Sequence, residues 1–279
     1  MAAIRPTIAD KRIAFHLLHQ SGCFVIPNPW DIGSAMYLQG LGFKALASTS
    51  SGFAWSQGRP DNGVSRDAVL AHLHELVMAT DVPINADFES GYAKDAAGVA
   101  ESVRLALETG VAGLSIEDST GNDDKPLYEL DIAVERMRAA RNAIDKAGGD
   151  ALLVGRAECF LVGRPDLDET IARLKAYAQA GADCLYAPGI RTKEQIGAIV
   201  AAVAPKPVNL LIGSVSELTM EDVVTLGVRR VSVGGALARS AWGGFQRAAK
   251  SILEEGRFDG FKDAAAGQDL NAFFQKQAG

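Results

Sequence analysis

The chain has 279 residues, 48% hydrophobic and 22% charged, with a formal net charge of −6 and a mean hydropathy of +0.06. That length suits one large α/β barrel or two smaller domains, and the balance is that of an ordinary globular protein. The acidic charge argues against a nucleic-acid partner, which needs a basic stripe, and no apolar run approaches the roughly 20 residues that span a bilayer.

In chain order, the first residues lack the apolar h-region of a secretory signal, so a cytoplasmic location is expected. Residues 7–20 read as an amphipathic helix within an N-terminal unit, 1–22, that caps a barrel bottom or packs at its side. Short apolar runs then read as strands at 23–26, 45–48, 83–86, 113–116, 152–155, 183–186, 207–211 and 230–233. Between and after them, Ala-rich segments with helical spacing occupy 32–40, 66–80, 95–109, 131–147, 166–180, 192–203, 219–226 and 236–255. In the third of these, Val99, Val103, Ala106 and Leu107 share one face, while Glu101, Arg104 and Glu108 point away. Gly110, Gly181 and Gly227 end helices just before strands, as left-handed C′ residues do.

Eight strands alternating with eight helices require a parallel sheet, and all eight strands are comparably apolar, which favours closure. The expected fold is a single (β/α)₈ TIM barrel over 1–279, with an extra N-terminal helix and with the last barrel helix and tail at 236–279. A dinucleotide fold would place a Gly-rich turn after the first strand, where the chain has Pro27, Asn28 and Pro29. The apolar tail residues Phe261, Leu270, Phe273 and Phe274 are expected to dock on a partner subunit or on their own barrel. Cys23, Cys159 and Cys184 are odd in number and widely spaced, and read as buried structural thiols.

In a barrel, chemistry belongs in the loops at the C-terminal strand ends. There the chain carries Ser48, Thr49, Ser50, Ser51 and Gly52 after the second strand and Asp61 later in that loop. Asp87 and Glu89 follow the third strand, Glu117 and Asp118 end the fourth, Arg156 and Glu158 the fifth, and Asn209 lies on the seventh. Carboxylates this close raise one another's pKa or recruit a cation, and an oxygen-only set suits Mg²⁺ or Mn²⁺. His16, His19, His72 and His74 all fall in helical segments, which disfavours zinc and a class II aldolase-like site. No lysine sits at an inner strand end for a Schiff base; Lys94 lies beyond Gly91 and Tyr92. Arg156 can bind a substrate carboxylate or pair with Glu158 or Glu117, and the run at 48–52 offers hydroxyl and N–H donors to an oxyanion.

These residues resemble the phosphoenolpyruvate mutase/isocitrate lyase superfamily from about Asn28 to Phe245. The likeness rests on Ser48-Thr49-Ser50 with Pro60-Asp61, Asp87-Phe88-Glu89-Ser90-Gly91-Tyr92, Gly113 to Asp118, and Gly155-Arg156-Ala157. It implies Asp61, Asp87, Glu89 and Glu117 for Mg²⁺, and Ser48, Thr49, Ser50 and Arg156 for a small anionic 2-oxo acid. It also implies a homo-oligomer, dimer or tetramer, in which neighbours exchange the last barrel helix. Two departures stand out. Glu89 replaces the usual Asp, and the loop 119–128 lacks the Cys and His that lyase members place there. Asn122 and Lys125 are the candidate contacts of that loop, with a solvated lid as the alternative. The expectation is a Mg²⁺-dependent lyase acting beside a 2-oxo or 2-hydroxy acid through an enolate. The alternatives are phosphonomutase or phosphonopyruvate chemistry, or a non-catalytic barrel that binds a 2-oxo acid.

Overall fold

The computed structural model describes residues 5–277. Eight parallel strands form one ring in the order β1-β8-β7-β6-β5-β4-β3-β2. They are β1 (Phe24–Ile26), β2 (Leu46–Ala47), β3 (Ile84–Asp87), β4 (Gly113–Glu117), β5 (Leu152–Arg156), β6 (Cys184–Tyr186), β7 (Val208–Leu211) and β8 (Arg230–Ser232). Among the described residues no ladder joins β1 to β2, and two other contacts close that seam. Ala47 N–H donates to the Pro27 carbonyl at 3.1 Å. The buried Asn28 amide donates to the Ser48 carbonyl and accepts from the N–H groups of Val233 and Gly234, each at 2.9 Å. One side chain thus links the ends of β1, β2 and β8.

A helix follows each strand: α2 (Ile32–Gly40), α4 (Arg66–Ala79), α5 (Ala96–Glu108), α6 (Leu130–Lys146), α7 (Leu167–Gln179), α8 (Lys193–Val203), α9 (Met220–Thr225) and α10 (Ala236–Glu255). The expected boundaries shift by a residue because Asp95, Asp166, Thr192 and Thr219 are N-caps, each accepting an N–H from three residues on. Val99, Val103 and Ala106 are fully buried, while Arg104 pairs outside with Glu101 and Glu108. Gly110 and Gly181 adopt φ of +89° and +105°, the left-handed turn from helix to strand.

The amphipathic N-terminal segment is α1 (Ile8–Gln20), opened by a Thr7–Asp10 capping box. It seals the barrel bottom: Phe15 is fully buried with Ala45, Ala112 and Leu152, and any Cβ on Gly113 would meet its ring at 2.8 Å. One finding corrects the sequence reading and another takes one of its two alternatives. Residues 48–52 are not an open loop, because Thr49 caps a helix, α3 (Ser50–Ser56). The irregular tail forms a 3₁₀ turn (Asp259–Phe261) and α11 (Gly267–Gln277), and Phe273 docks on Tyr37 of α2 with ring centroids 4.7 Å apart. Along α10 only Ala238 is buried, and Leu237, Trp242, Phe245 and Leu253 are exposed.

Candidate active site

The C-terminal strand ends gather most of the expected polar residues around one side chain, Arg156. Register sets it beside Glu117 on β4 and Tyr186 on β6. Its Nη1 donates to Asp87 Oδ1 at 3.0 Å and pairs with Glu117 Oε2 at 3.1 Å, and its Nε pairs with Glu158. The guanidinium lies over the Tyr186 ring, 5.1 Å from the centroid. These bonds occupy Nε and Nη1 and leave Nη2 for a ligand.

Asp87 is held from the other side by the start of α3. Ser50 N–H and Ser50 Oγ both donate to Asp87 Oδ2, each at 3.0 Å, where the helix N-terminus favours negative charge. Ser48 Oγ accepts the Asp87 N–H at 2.8 Å, which keeps the hydroxyl proton available to a substrate. Thr49 Oγ1 accepts the Gly52 N–H at 3.3 Å and lies 3.2 Å from Ser51 Oγ. In this structure the three residues therefore organise Asp87 and α3.

The carboxylates carry the electrostatic signature of crowding. Glu117 is raised well above its ordinary range, chiefly by burial, with Glu158, Asp87 and Glu89 adding to the effect and Arg156 opposing it. Glu89, at a left-handed φ of +48°, is pushed up to about 7 by burial and then by Asp87 and Asp61. Asp61 is raised by burial and by the Asp87 charge. The Tyr92 hydroxyl is buried without a hydrogen-bond partner although it lies close enough to Glu89 to affect its proton; it is near the carboxyl but poorly aligned.

Among the described residues no three His, Cys, Asp or Glu side chains stand together as a ready metal cage. Arg156 occupies the centre as counter-ion instead. The donor set nevertheless suits a hard divalent cation. It is all oxygen, three carboxylates pair with one guanidinium while Asp61 and Glu89 lie close enough to feel the Asp87 charge, and Mg²⁺ binds through one or two carboxylates while keeping its own waters. The histidines lie elsewhere, His16 and His19 on α1 and His72 and His74 on α4.

Asn122 and Lys125 are not brought to this cluster. The loop 119–128 is a small hairpin with an antiparallel bridge between Ser119 and Leu127. Asn122 Oδ1 accepts the Asp124 N–H at 2.9 Å, and both candidate side chains are exposed at the tip. Asn209 is fully buried inside the barrel, bonded to Arg230 and Ser232.

Sequence reasoning gave no site role to Tyr186 or Asp118. Asp118 is buried and accepts from Glu158 N–H at 2.8 Å, Arg173 at 3.1 Å and Tyr177 OH at 2.6 Å. Its position next to Glu117 at a strand end was the available signal; Tyr186 carried a similar one on β6. On the same face a cavity of about 660 Å³ opens between the loops after β6 and β7. Arg191, Lys193 and Arg239 line it, and the carboxylate cluster does not.

Comparison with known proteins places the fold in a family. The profile of the phosphoenolpyruvate phosphomutase family matches residues 15–253. A crystal structure from Burkholderia cenocepacia J2315, provisionally described as a lyase/mutase, is 48% identical and superposes with a TM-score of 0.93, covering 96% of this chain and 97% of the other. Oxaloacetate decarboxylase of Paraburkholderia xenovorans is 31% identical over 83% of this chain and 77% of its own length. The 2-methylisocitrate lyase of Escherichia coli is 32% identical over 56% of this chain and 54% of its own.

Proposed function

The chain belongs to the phosphoenolpyruvate phosphomutase family, and on that premise we propose that it is a Mg²⁺- or Mn²⁺-dependent carbon–carbon lyase that decarboxylates a small 2-oxo dicarboxylic acid of the oxaloacetate type. The observation that carries the reading is Arg156 set between Asp87 and Glu117 at the barrel mouth. Asp61, Asp87, Glu89 and Glu117 would hold the metal. When bound, the ion would draw electron density from the 2-oxo and carboxylate oxygens and so favour an enolate. Arg156 Nη2 and the Ser48 hydroxyl would bind the substrate's C1 carboxylate and oxo oxygen.

The hairpin 119–128 favours decarboxylation over aldol-type cleavage. Cleaving a 2-hydroxy acid needs a base to take the hydroxyl proton and an acid for the leaving half. This lid has neither Cys nor His, and its tip is exposed. Decarboxylation asks less of it. The bond to the departing carboxylate breaks, its electron pair moves into the enolate, CO₂ leaves, and solvent protonates the carbon. Arg191 and Arg239, which outnumber Glu217 on the neighbouring cavity, suit an anionic substrate. Phosphonomutase chemistry is the second reading, favoured by the matched family profile and dependent on Asn122 and Lys125 turning inward. The exposed Leu237, Trp242 and Phe245 of α10 support a homo-oligomer in which that helix packs on a second copy.

The test is a screen of oxaloacetate, 2-methylisocitrate, isocitrate, dimethylmalate and phosphonopyruvate for pyruvate or glyoxylate release. Oxaloacetate should turn over fastest, lose activity with EDTA and regain it with Mg²⁺ or Mn²⁺. Turnover indifferent to chelation would overturn the metal; binding of oxalate without turnover of any candidate would favour a non-catalytic barrel.

A further inference from the structure

The hairpin that forms the lid is self-contained at its tip and fastened at its base. Thr120 N–H donates to the Pro126 carbonyl at 2.9 Å, Lys125 N–H to the Asn122 carbonyl at 3.2 Å, and Asn122 N–H to Thr120 Oγ1 at 3.1 Å. These bonds join hairpin residues to one another, so the tip is a stiff unit whose placement depends on its two ends. One end is Asp118, locked by Arg173, Tyr177 and the Glu158 N–H. The other is Tyr128, whose N–H donates to the Asp118 carbonyl at 2.9 Å and whose own carbonyl accepts from Arg173 at 3.0 Å.

The Tyr128 ring meets a second buried arginine. Arg136 of α6, 1% exposed, places its guanidinium carbon 4.2 Å from the ring centroid. Its Nη2 donates to the carbonyls of Ser90 and Ala93, while Nε and Nη1 are buried with no hydrogen-bond partner. A guanidinium held by two carbonyls and a ring face is sensitive to the loss of either support. Ser90 and Ala93 belong to the turn 89–93, in which Glu89 and Tyr92 hold φ of +48° and +52°. For side chains other than glycine such angles persist only where surrounding contacts enforce them. The Glu117 N–H holds the Glu89 carbonyl at 3.0 Å from β4, and Arg136 is the side chain that ties the rest of the turn to the Tyr128 ring.

We propose that Arg136 is a positioning residue that couples the base of the lid to the turn carrying Glu89, so that loosening one loosens the other. Its consequence for turnover rests on the metal-dependent reading above; the mechanical coupling does not. Through this link a lid without Cys or His would still influence the reaction, by setting where Glu89 stands.

Hydrogen–deuterium exchange of the full-length, metal-free protein tests it, read by mass spectrometry. Tyr128→Leu removes the ring and should speed exchange by roughly tenfold both in 119–128 and in 88–95, the factor that a buried cation–π contact of ordinary strength represents. Residues 196–203 of α8 should stay unchanged, and Tyr128→Phe, which keeps the ring face, should match wild type. Arg136→Lys, which retains charge but cannot span two carbonyls and a ring, should reproduce the Leu pattern should Tyr128→Leu fail to fold. Faster exchange confined to 119–128, or Tyr128→Phe as loose as Tyr128→Leu, would overturn the coupling. Mn²⁺ affinity, followed by electron paramagnetic resonance, should weaken several-fold in Tyr128→Leu and hold in Tyr128→Phe. Wild-type protein that binds no Mn²⁺ would count against the metal reading, leaving the exchange pattern to decide the coupling.

Discussion

The two ends of this barrel treat buried charge in opposite ways. At the bottom, cations from α1 and β8 meet mainly neutral dipoles, with Arg12 also pairing with the half-exposed Asp150 at 2.8 Å. Lys11 Nζ donates to the Val77 carbonyl at 2.8 Å, Arg12 to the carbonyls of Val111 and Leu107 at 3.1 Å each, and Arg230 Nε to Asn209 Oδ1 at 2.8 Å. Leu107 and Val77 lie in the last turns of their helices, where the dipole favours a cation. At the mouth, burial raises the proton affinity of Asp61, Glu89, Glu117 and Glu158 around one guanidinium, and the Asp87 charge adds to each. The bottom is arranged for stability. The mouth carries surplus charge that the fold does not neutralise, as sites built to bind do.

The comparison breaks most sharply under paired substitutions. Asp87→Asn should lower turnover by about a thousandfold or more, a loss typical of removing an essential electrostatic group, while leaving the urea midpoint within error. Arg12→Met should do the reverse, costing about 2–3 kcal/mol by orphaning two buried carbonyls and the Asp150 carboxylate and leaving kcat in place. Equal damage to both properties in both variants would erase the distinction between the ends.

A smaller effect sharpens it. Mn²⁺ at a hundred times its Kd should stabilise wild type by about 2.7 kcal/mol, seen as a rise in Tm of several degrees. Arg12→Met should keep that rise and Asp87→Asn should lose it.

The smallest effects are opposed pH slopes. Burial, then the Arg230 charge, holds His19 near about 3 against an ordinary 6.5. Across that interval the unfolded chain binds the extra proton, so the His19 contribution is complete above pH 6.5 and is lost as pH falls toward 3. Glu89 sits at about 7 against an ordinary 4.5, so its contribution is complete below pH 4.5 and is lost as pH rises through 7. Chemical denaturation across pH should show His19→Gln flattening the acid limb and Glu89→Gln flattening the neutral limb of the metal-free protein. Saturating Mn²⁺ should abolish the second slope and leave the first.

Much of the fold was legible because strand and helix periods are local. The runs at 113–116 and 152–155 needed only one residue added, Glu117 and Arg156, because polar strand-end residues break an apolar pattern while still pairing in the ladder. α3 was missed because Ser50, Ser51 and Gly52 are weak helix formers, and its start is fixed by Thr49 and by Asp87 from another strand. The same distinction runs through the site. Asp87, Glu117 and Arg156 stood out as charges at strand ends. Arg136 and Tyr128 did not, since an arginine on a helix and a tyrosine after a loop look solvated until packing joins them. The lid's Asn122 and Lys125 could be named from sequence, but their outward placement follows from turn geometry.

The docked tail has a practical side. A methyl group on Gly40 would fall 2.4 Å from the Phe273 ring, so the chain's last helix fits against its first barrel helix only because that position is bare. A fusion partner, affinity tag or trimming protease acting just beyond α11 therefore pulls on a wedge seated against α2, the helix that follows β1. Expression designs that lengthen or clip this end are prone to yield a looser barrel, and an aromatic reporter at Phe273 would register that loosening before activity is ever assayed.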